Sequence, residues 1–355
     1  MTEQTAIAPT YADFAAELQT RYAALIAAEP KLRIRDLADK LGVSEAALVA
    51  AQCGVQSQPL AGGAQTLFKQ LGSLGRVLAL SRNDACVHER HGRYEDIHAG
   101  GPVGMVLGPD IDLRLFFSCW QFAWHVTDPT HGRESIQFFA ADGSAVHKVY
   151  RTDETDARAW QALVAAFAQT ERSVPQFSAL ATLDEAHEAA DANAVRNAWL
   201  ALDDTHAFFP MLRKFKLSRL GALRAAGPDL AQSVDNDAVE TLLQRAADTG
   251  LAIMCFVGNR GIVQIHSGPV QKLLRTGPWF NVLDPTFNLH LQTTAIHSSW
   301  VVNKPTRDGW VTSLEIYNAA GELIVQFFGV RKPGQPELPA WRALLTDLCA
   351  QPLAA

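Results

Sequence analysis

Residues 313–329 read SLEIYNAAGELIVQFFG, and residues 135–151 read SIQFFAADGSAVHKVYR. Each alternates apolar and polar side chains on both sides of a short run holding Asn or Asp and Gly, the pattern of a β-hairpin. The two lie 178 positions apart, and the likeness extends outward from them. Upstream, GNRGIVQIHSG (258–268) echoes RNDACVHERHG (82–92), with Asn259 over Asn83 at an offset of 176. PTFNLHL (285–291) echoes DIDLRLF (110–116), which sets His290 where Arg114 stands. Downstream, AWRALLTDL (340–348) echoes AWQALVAAF (159–167). Four blocks in one order at nearly one offset identify a tandem duplication of roughly 165–180 residues.

The helical patterns fall in the same places in each copy. Residues 11–28, 33–52 and 64–76 precede the strands of the first, and 192–215, 218–226 and 236–250 precede those of the second. A short helix around the last Trp closes each. Helices followed by a run of antiparallel strands make an α+β fold of two similar halves, each with a large antiparallel sheet. The expected organisation is a first repeat over 1–170, a linker over 171–195 and a second repeat over 196–355.

The 355 residues are 48% apolar and 19% charged with a net charge of −6, so no general basic field is available to hold nucleic acid or an anionic membrane. The opening MTEQTAIAPTYADFAAELQTRYAALI lacks a basic region followed by an apolar one, and no apolar run reaches the roughly 18 residues of a span. The cysteines, Cys53, Cys86, Cys119, Cys255 and Cys349, are odd in number and form no CxxC pair, which suits a reducing compartment. These features lead us to expect a cytoplasmic protein with no stable membrane insertion.

The chemistry concentrates in LALDDTHAFFPMLRKFKLSRLGALRAAG (200–227). Asp203 and Asp204 stand where a helix cap would, and the helix is expected over Thr205–Phe215 with Phe209 and Arg213 on the face of His206. A neutral imidazole beside aromatic rings and cations is a good axial ligand for a flat apolar macrocycle that carries carboxylates. The plainer alternative is a capping histidine making one hydrogen bond. Likewise Arg213, Lys214, Lys216, Arg219 and Arg224 suit an anion or an acidic partner, or form a solvated face. The duplication weighs on this choice. With Lys216 over Lys31, His206 falls over Arg21, and the first copy has RYAALIAAEPK in place of HAFFPMLRKFK. A residue required by the fold would recur, and this His with its aromatic pair does not.

Other motifs are weaker. HERHGRYEDIH holds His88, His91 and His98, but structural zinc wants four converging ligands, and an H-x-x-H on a strand points its imidazoles apart. HExxH and a phosphate loop are absent. In 33–52, Ala38, Gly42 and Leu48 have helix-turn-helix spacing, which keeps a DNA-binding regulator as an alternative. Its reading helix, SEAALVAAQ, offers no Arg, Lys or Asn to base edges and turns Glu45 to the phosphates, and the segment duplicates 218–230.

Along nearly its whole length the chain resembles the cytoplasmic hemin-degrading factors and haem-trafficking proteins of bacterial haem-uptake systems, the HemS/ChuS/PhuS type. The matching motifs are DTHAFFPMLRKFKLSR, DIDLRLF, FVGNRGIVQI, DPTFNLHL, KPTRDGWVTSLE and QFFGVR. The resemblance implies two stacked halves with a haem cleft between them and haem b as ligand, and as substrate if the chain degrades it. By position it makes His206 the proximal iron ligand and Arg114 a distal arginine with a catalytic part. Arg219, Lys304 and Arg331 would hold propionates or line the cleft, and Phe256, Gln326 and Phe328 would form its walls. His88 matches a histidine of the first half that would serve only a secondary site. The implied function is to receive imported hemin, then either open the ring oxidatively with O2 or peroxide and an electron donor, or pass the haem on as a chaperone. The implied partners are an inner-membrane haem importer and a haem oxygenase. One departure is Phe328, where relatives carry Tyr. The lost hydroxyl removes a polar contact of about 1 kcal/mol and leaves axial ligation untouched.

Overall fold

The structure, a computed structural model, describes residues 10–129, 131–180, 185–331 and 334–355. Its elements follow the chain in the expected order. In the first half come α1 (Tyr11–Ala28), α2 (Ile34–Leu41), α3 (Glu45–Ala51), β1 (Ser57–Pro59), α4 (Ala64–Lys69), β2 (Val77–Arg82), β3 (Cys86–Gly92), β4 (Ile97–His98), β5 (Val103–Leu107), β6 (Asp112–Phe116), β7 (Phe122–Asp128), β8 (Arg133–Phe139), β9 (Ala145–Tyr150) and α5 (Ala157–Phe167). In the second come α6 (Ala192–Leu200), α7 (Phe208–Phe215), α8 (Arg219–Ala226), β10 (Ala231–Val234), α9 (Ala238–Thr249), β11 (Ile253–Asn259), β12 (Ile262–Gly268), β13 (Leu273–Thr276), β14 (Trp279–Leu283), β15 (Phe287–Gln292), β16 (Ser298–Thr306), β17 (Gly309–Tyr317), β18 (Leu323–Gly329) and α10 (Pro339–Thr346).

The chain forms two compact units that are not contiguous in sequence. Unit 1 holds the described parts of Met1–Ser81, His91–Leu180 and Asn259–Ile262; unit 2 holds those of Arg82–Arg90, Ala181–Gly258 and Val263–Ala355. Each unit therefore takes in a short segment of the other half. The duplicated asparagines pin those segments. Asn83, in unit 2, donates to the carbonyls of Gly258 and Ile324 (3.1 and 2.7 Å) and accepts from the Ala85 and Cys86 amides. Asn259, in unit 1, donates to the Val146 carbonyl (2.9 Å) and accepts from the Gly261 amide.

In unit 1 the antiparallel order is β1-β7-β8-β9-β2, with a separate run β4-β5-β6. Phe68, Phe138, Trp120 and Trp160 anchor its main core. In unit 2 the order is β10-β16-β17-β18-β11, with a second run β3-β15-β14-β13. Strand alternation divides the large sheet of unit 2. Cys255, Val257, Leu314, Ile316, Val325 and Phe327 are fully buried and join the core that also holds Leu242 of α9 and Trp341 of α10. The opposite face carries the polar residues of the site.

Candidate functional site

His206 sits on a tight 3-10 turn, Thr205–Ala207, and α7 starts only at Phe208. The sequence suggested one helix from Thr205. Pro210 gives the reason for the break, because its ring would clash with the His206 carbonyl four residues back and it has no N–H to donate there. Asp204 caps the turn as expected. Its carboxylate accepts from the His206 amide (2.8 Å) and from His206 Nδ1 (2.7 Å), and these bonds, the amide's first, hold its carboxyl below the usual carboxylate range. A carboxylate only accepts, so Nδ1 carries the proton and Nε2 presents a lone pair. The His206 side chain is 91% exposed. Phe209, one turn on, is 58% exposed, a costly place for a large aromatic ring unless something covers it.

The basic run divides in two. Arg213, Lys214, Lys216 and Arg224 face solvent, whereas Arg219 turns inward. Its guanidinium lies 5.1 Å from the Phe208 ring centroid and 5.5 Å from that of Phe209, and forks onto Glu315 at 2.6 and 2.8 Å. Lys304 reaches the same carboxylate (3.0 Å) and sits 4.6 Å from the Phe208 centroid. Ser313 and Tyr317 add hydroxyl donors to Glu315 at 3.0 and 2.5 Å. Burial alone would raise the Glu315 carboxyl, but Arg219 and Lys304 hold it well below its usual range. Burial pulls the Lys304 ammonium down to about 8 against the opposing attraction of Glu315. Two cations share one anion, so the cluster beneath α7 has a net positive charge. Sequence reasoning missed Glu315 and Tyr317. The signal was present in SLEIY, where a period-2 polar set interrupts an apolar strand.

Cross-strand register extends this face to β18 and β11. Glu315 stands opposite Gln326, Ser313 opposite Phe328, Gln326 opposite Phe256 and Phe328 opposite Met254. Phe256 and Phe328 meet edge to face at 5.0 Å. These wall residues are only half-buried, and none joins the cluster that packs α6, α7 and α8 over Val302 and Tyr317. Among the described residues, Gln326 Nε2 is buried with no hydrogen-bond partner. Just beyond the strand, Arg331 is in the same condition: Nη1 is buried and unpartnered, and Nη2 lies 3.9 Å from Asp308.

Unit 1 shows why the copies differ. At the offset of 178, Gln137, Lys148 and Tyr150 correspond to Glu315, Gln326 and Phe328. There α3 packs on the sheet through Ala46, Val49 and Ala50 against Trp124 and Phe139, and Glu45 pairs with buried Lys148. From Gly42 to Ser57 the first copy uses fifteen positions; from Gly227 to Ala231, the matching stretch, the second uses four. The missing residues are α3, and the face they would cover in unit 2 stays open. The same observation corrects the helix-turn-helix reading. All seven residues of α3 are buried, and Glu45 is tied to Lys148, so this helix presents no side chain to a groove and no charge to phosphates.

Of the remaining expected residues, Arg114 lies in unit 1 on β6. It is half-exposed, bonded to Asp112 and to the Leu113 carbonyl (3.1 Å). His88 is fully buried on β3, 5.0 Å from the Phe287 ring, which removes it from contact with any large external ligand. Among the described residues no group of three His, Cys, Asp or Glu is placed to hold a metal ion, and no helix is long and apolar enough to cross a membrane.

Comparison with known proteins agrees in extent and architecture. A model described as the haemin-degrading HemS.ChuX domain matches residues 42–167 and again 216–348. The hemin transport protein HmuS of Yersinia pestis is 43% identical over 343 residues, 96% of this chain and 99% of its own. The crystal structure of apo-PhuS, a heme-binding protein from Pseudomonas aeruginosa, superposes with a TM-score of 0.91 at 44% identity, covering 95% of this chain and all of that one. The heme degrading enzyme ChuS of Escherichia coli O157:H7 gives 0.90 at 37% identity, covering 94% and 99%.

Proposed function

The chain belongs to the haemin-degrading HemS.ChuX domain family, and on that premise we propose that it binds haem at the open face of unit 2, as a cytoplasmic protein of haem utilisation. The observation that carries this reading is His206. An exposed imidazole whose Nδ1–H is held by a carboxylate directs Nε2 outward, the arrangement that orients and strengthens an axial nitrogen ligand.

The surrounding donors fit the same group. The Phe209 ring and the Phe256–Phe328 pair offer apolar contact to a macrocycle. Among the described residues, Gln326 Nε2 and Arg331 Nη1 are buried polar atoms with no hydrogen-bond partner, donors that a carboxylate would satisfy. Arg219 and Lys304 are committed to Glu315, so they serve propionates through the net positive charge of their cluster. Arg114 belongs to unit 1, where Asp112 fixes its guanidinium; its part as a distal donor is what the family resemblance implies. Bound haem would supply the iron and the oxygen chemistry of any ring opening.

The protein receives imported hemin and either degrades it or hands it to a haem oxygenase. The test is a hemin titration of the wild type beside His206→Ala. A Soret band saturating at one haem per chain and lost or blue-shifted in the variant is expected; identical spectra would remove His206 as the ligand. Aerobic and anaerobic product analysis with a reductant then separates degradation from delivery, since only degradation consumes oxygen and the Soret band together.

A further inference from the structure

Unit 1 holds a cavity that the haem reading does not use. It has a volume of about 430 Å³, within the usual range for small-molecule sites, and opens between the Gly54–Pro59 segment and Arg172. Its eleven lining residues include a guanidinium, Arg172, and an imidazole, His125, and no carboxylate. In a chain with a net charge of −6 that is a local reversal of sign.

Arg172 is seated by backbone conformation. Gly54 has φ +85°, and a Cβ added there would lie 2.0 Å from an Arg172 guanidinium nitrogen, so only glycine lets the guanidinium lie against this turn. Among the described residues no carboxylate forms an ion pair with Arg172. The neighbouring Tyr11 phenol is neutral and already donates to the Ala50 and Cys53 carbonyls.

The opposite wall is fixed by a network. His125 Nε2 bonds Glu134 at 2.8 Å, and Glu134 also accepts from Arg151 (2.9 Å) and Trp160 (2.7 Å). That carboxylate is fully engaged and does not line the cavity. Thr127 is locked by donating to the Gln56 carbonyl, which holds the β1 edge against β7. The Gln56 and Gln58 amides and the Thr170 hydroxyl complete a polar lining.

We infer that this cavity binds a small polar oxyanion, a carboxylate or a phosphate carried on a hydroxylated molecule, with the Arg172 fork as the charged contact. The inference stands apart from the haem reading, since none of these residues belongs to the open face of unit 2.

Isothermal titration at low salt, where an exposed guanidinium is least screened, tests it with inorganic phosphate, citrate and glucose 6-phosphate, and glucose as the uncharged control. Saturable binding of at least one anion, with none of glucose, is expected. It should weaken about ten- to a hundredfold in Arg172→Ala and less in Arg172→Lys, which keeps the charge and loses the fork. The preferred anion identifies whether phosphate or carboxylate is the natural group. Hemin titration of Arg172→Ala should match the wild type, which also reports that the variant is folded. No anion binding up to about 10 mM, or equal binding by wild type and Arg172→Ala, overturns the proposal.

Discussion

Replacing Glu315 by Gln keeps the shape of the side chain and removes its charge. The consequence follows from its neighbours. Glu315 is wholly buried, accepts from Arg219, Lys304, Ser313 and Tyr317, and is the only anion among them. Without it two cations remain in a desolvated site, one beside the other. Removing one partner of a buried ion pair costs about 3–5 kcal/mol. For a unit of this size that corresponds to a fall in Tm of about 6–20 °C. The loss should also depend on pH. Lys304 is held down to about 8 by burial, and Glu315 is what pulls it back up. In the variant it falls further, below its unfolded value of 10.5 by a wider margin. Over the window between the two values the unfolded state binds more protons, so stability rises with pH. From pH 6 to 8 the wild type gains little from this group, while the variant sheds the Lys304 proton and recovers part of its deficit. Denaturant unfolding at intervals across that range reads the effect. A deficit below about 1 kcal/mol, or one that does not narrow with rising pH, would refute the argument. Lys304→Met in the Glu315→Gln background should restore much of the loss, because only one cation is then left.

Asp204→Asn should leave thermal unfolding nearly unchanged at this exposed turn and weaken hemin affinity about tenfold or more, since the amide no longer fixes the His206 tautomer; spectrophotometric titration checks it. Phe209→Ala should move stability by no more than about 0.5 kcal/mol, because the ring is 58% exposed, yet lower hemin affinity measurably. Lys148→Met removes the buried cation that pairs with Glu45 of α3 and should destabilise unit 1 by about 3–5 kcal/mol in chemical denaturation, with the hemin spectrum intact.

Much of this architecture was legible in the sequence because duplication repeats its signals. The hairpin in 133–151 forms as read, as β8 and β9, and Trp160 and Trp341 lie on the closing helices of the two halves. Asp204 as the cap was also readable, since capping is decided within a few residues. What was not readable depended on strand register. Glu315 acquires its meaning only when Arg219 and Lys304, 96 and 11 positions away, converge on it. The exchange of Arg82–Arg90 and Asn259–Ile262 was equally hidden, because an asparagine that pins a swapped segment looks like any turn asparagine. Pro210 was in plain view, and its effect on the helix start follows from a local clash.

The two copies share a sheet and differ in what lies on it, and that difference is physical before it is functional. In unit 1 the face is sealed: α3 buries all seven of its residues, and the charge at Lys148 is neutralised by Glu45. In unit 2 the connection from Gly227 to Ala231 is too short to hold a helix, so no such seal exists. An open face with half-buried Phe256 and Phe328 and a Gln326 Nε2 that no described residue satisfies is costly unless a ligand completes it. On the proposed reading, the cation excess of Arg219 and Lys304 over Glu315 would set the sign of that ligand, and His206 at the head of α7 would supply a nitrogen toward it. The histidine proposed as axial ligand is thus matched, among the described residues, by the open face of unit 2. Both belong to the copy whose connection is too short for the helix that seals the other.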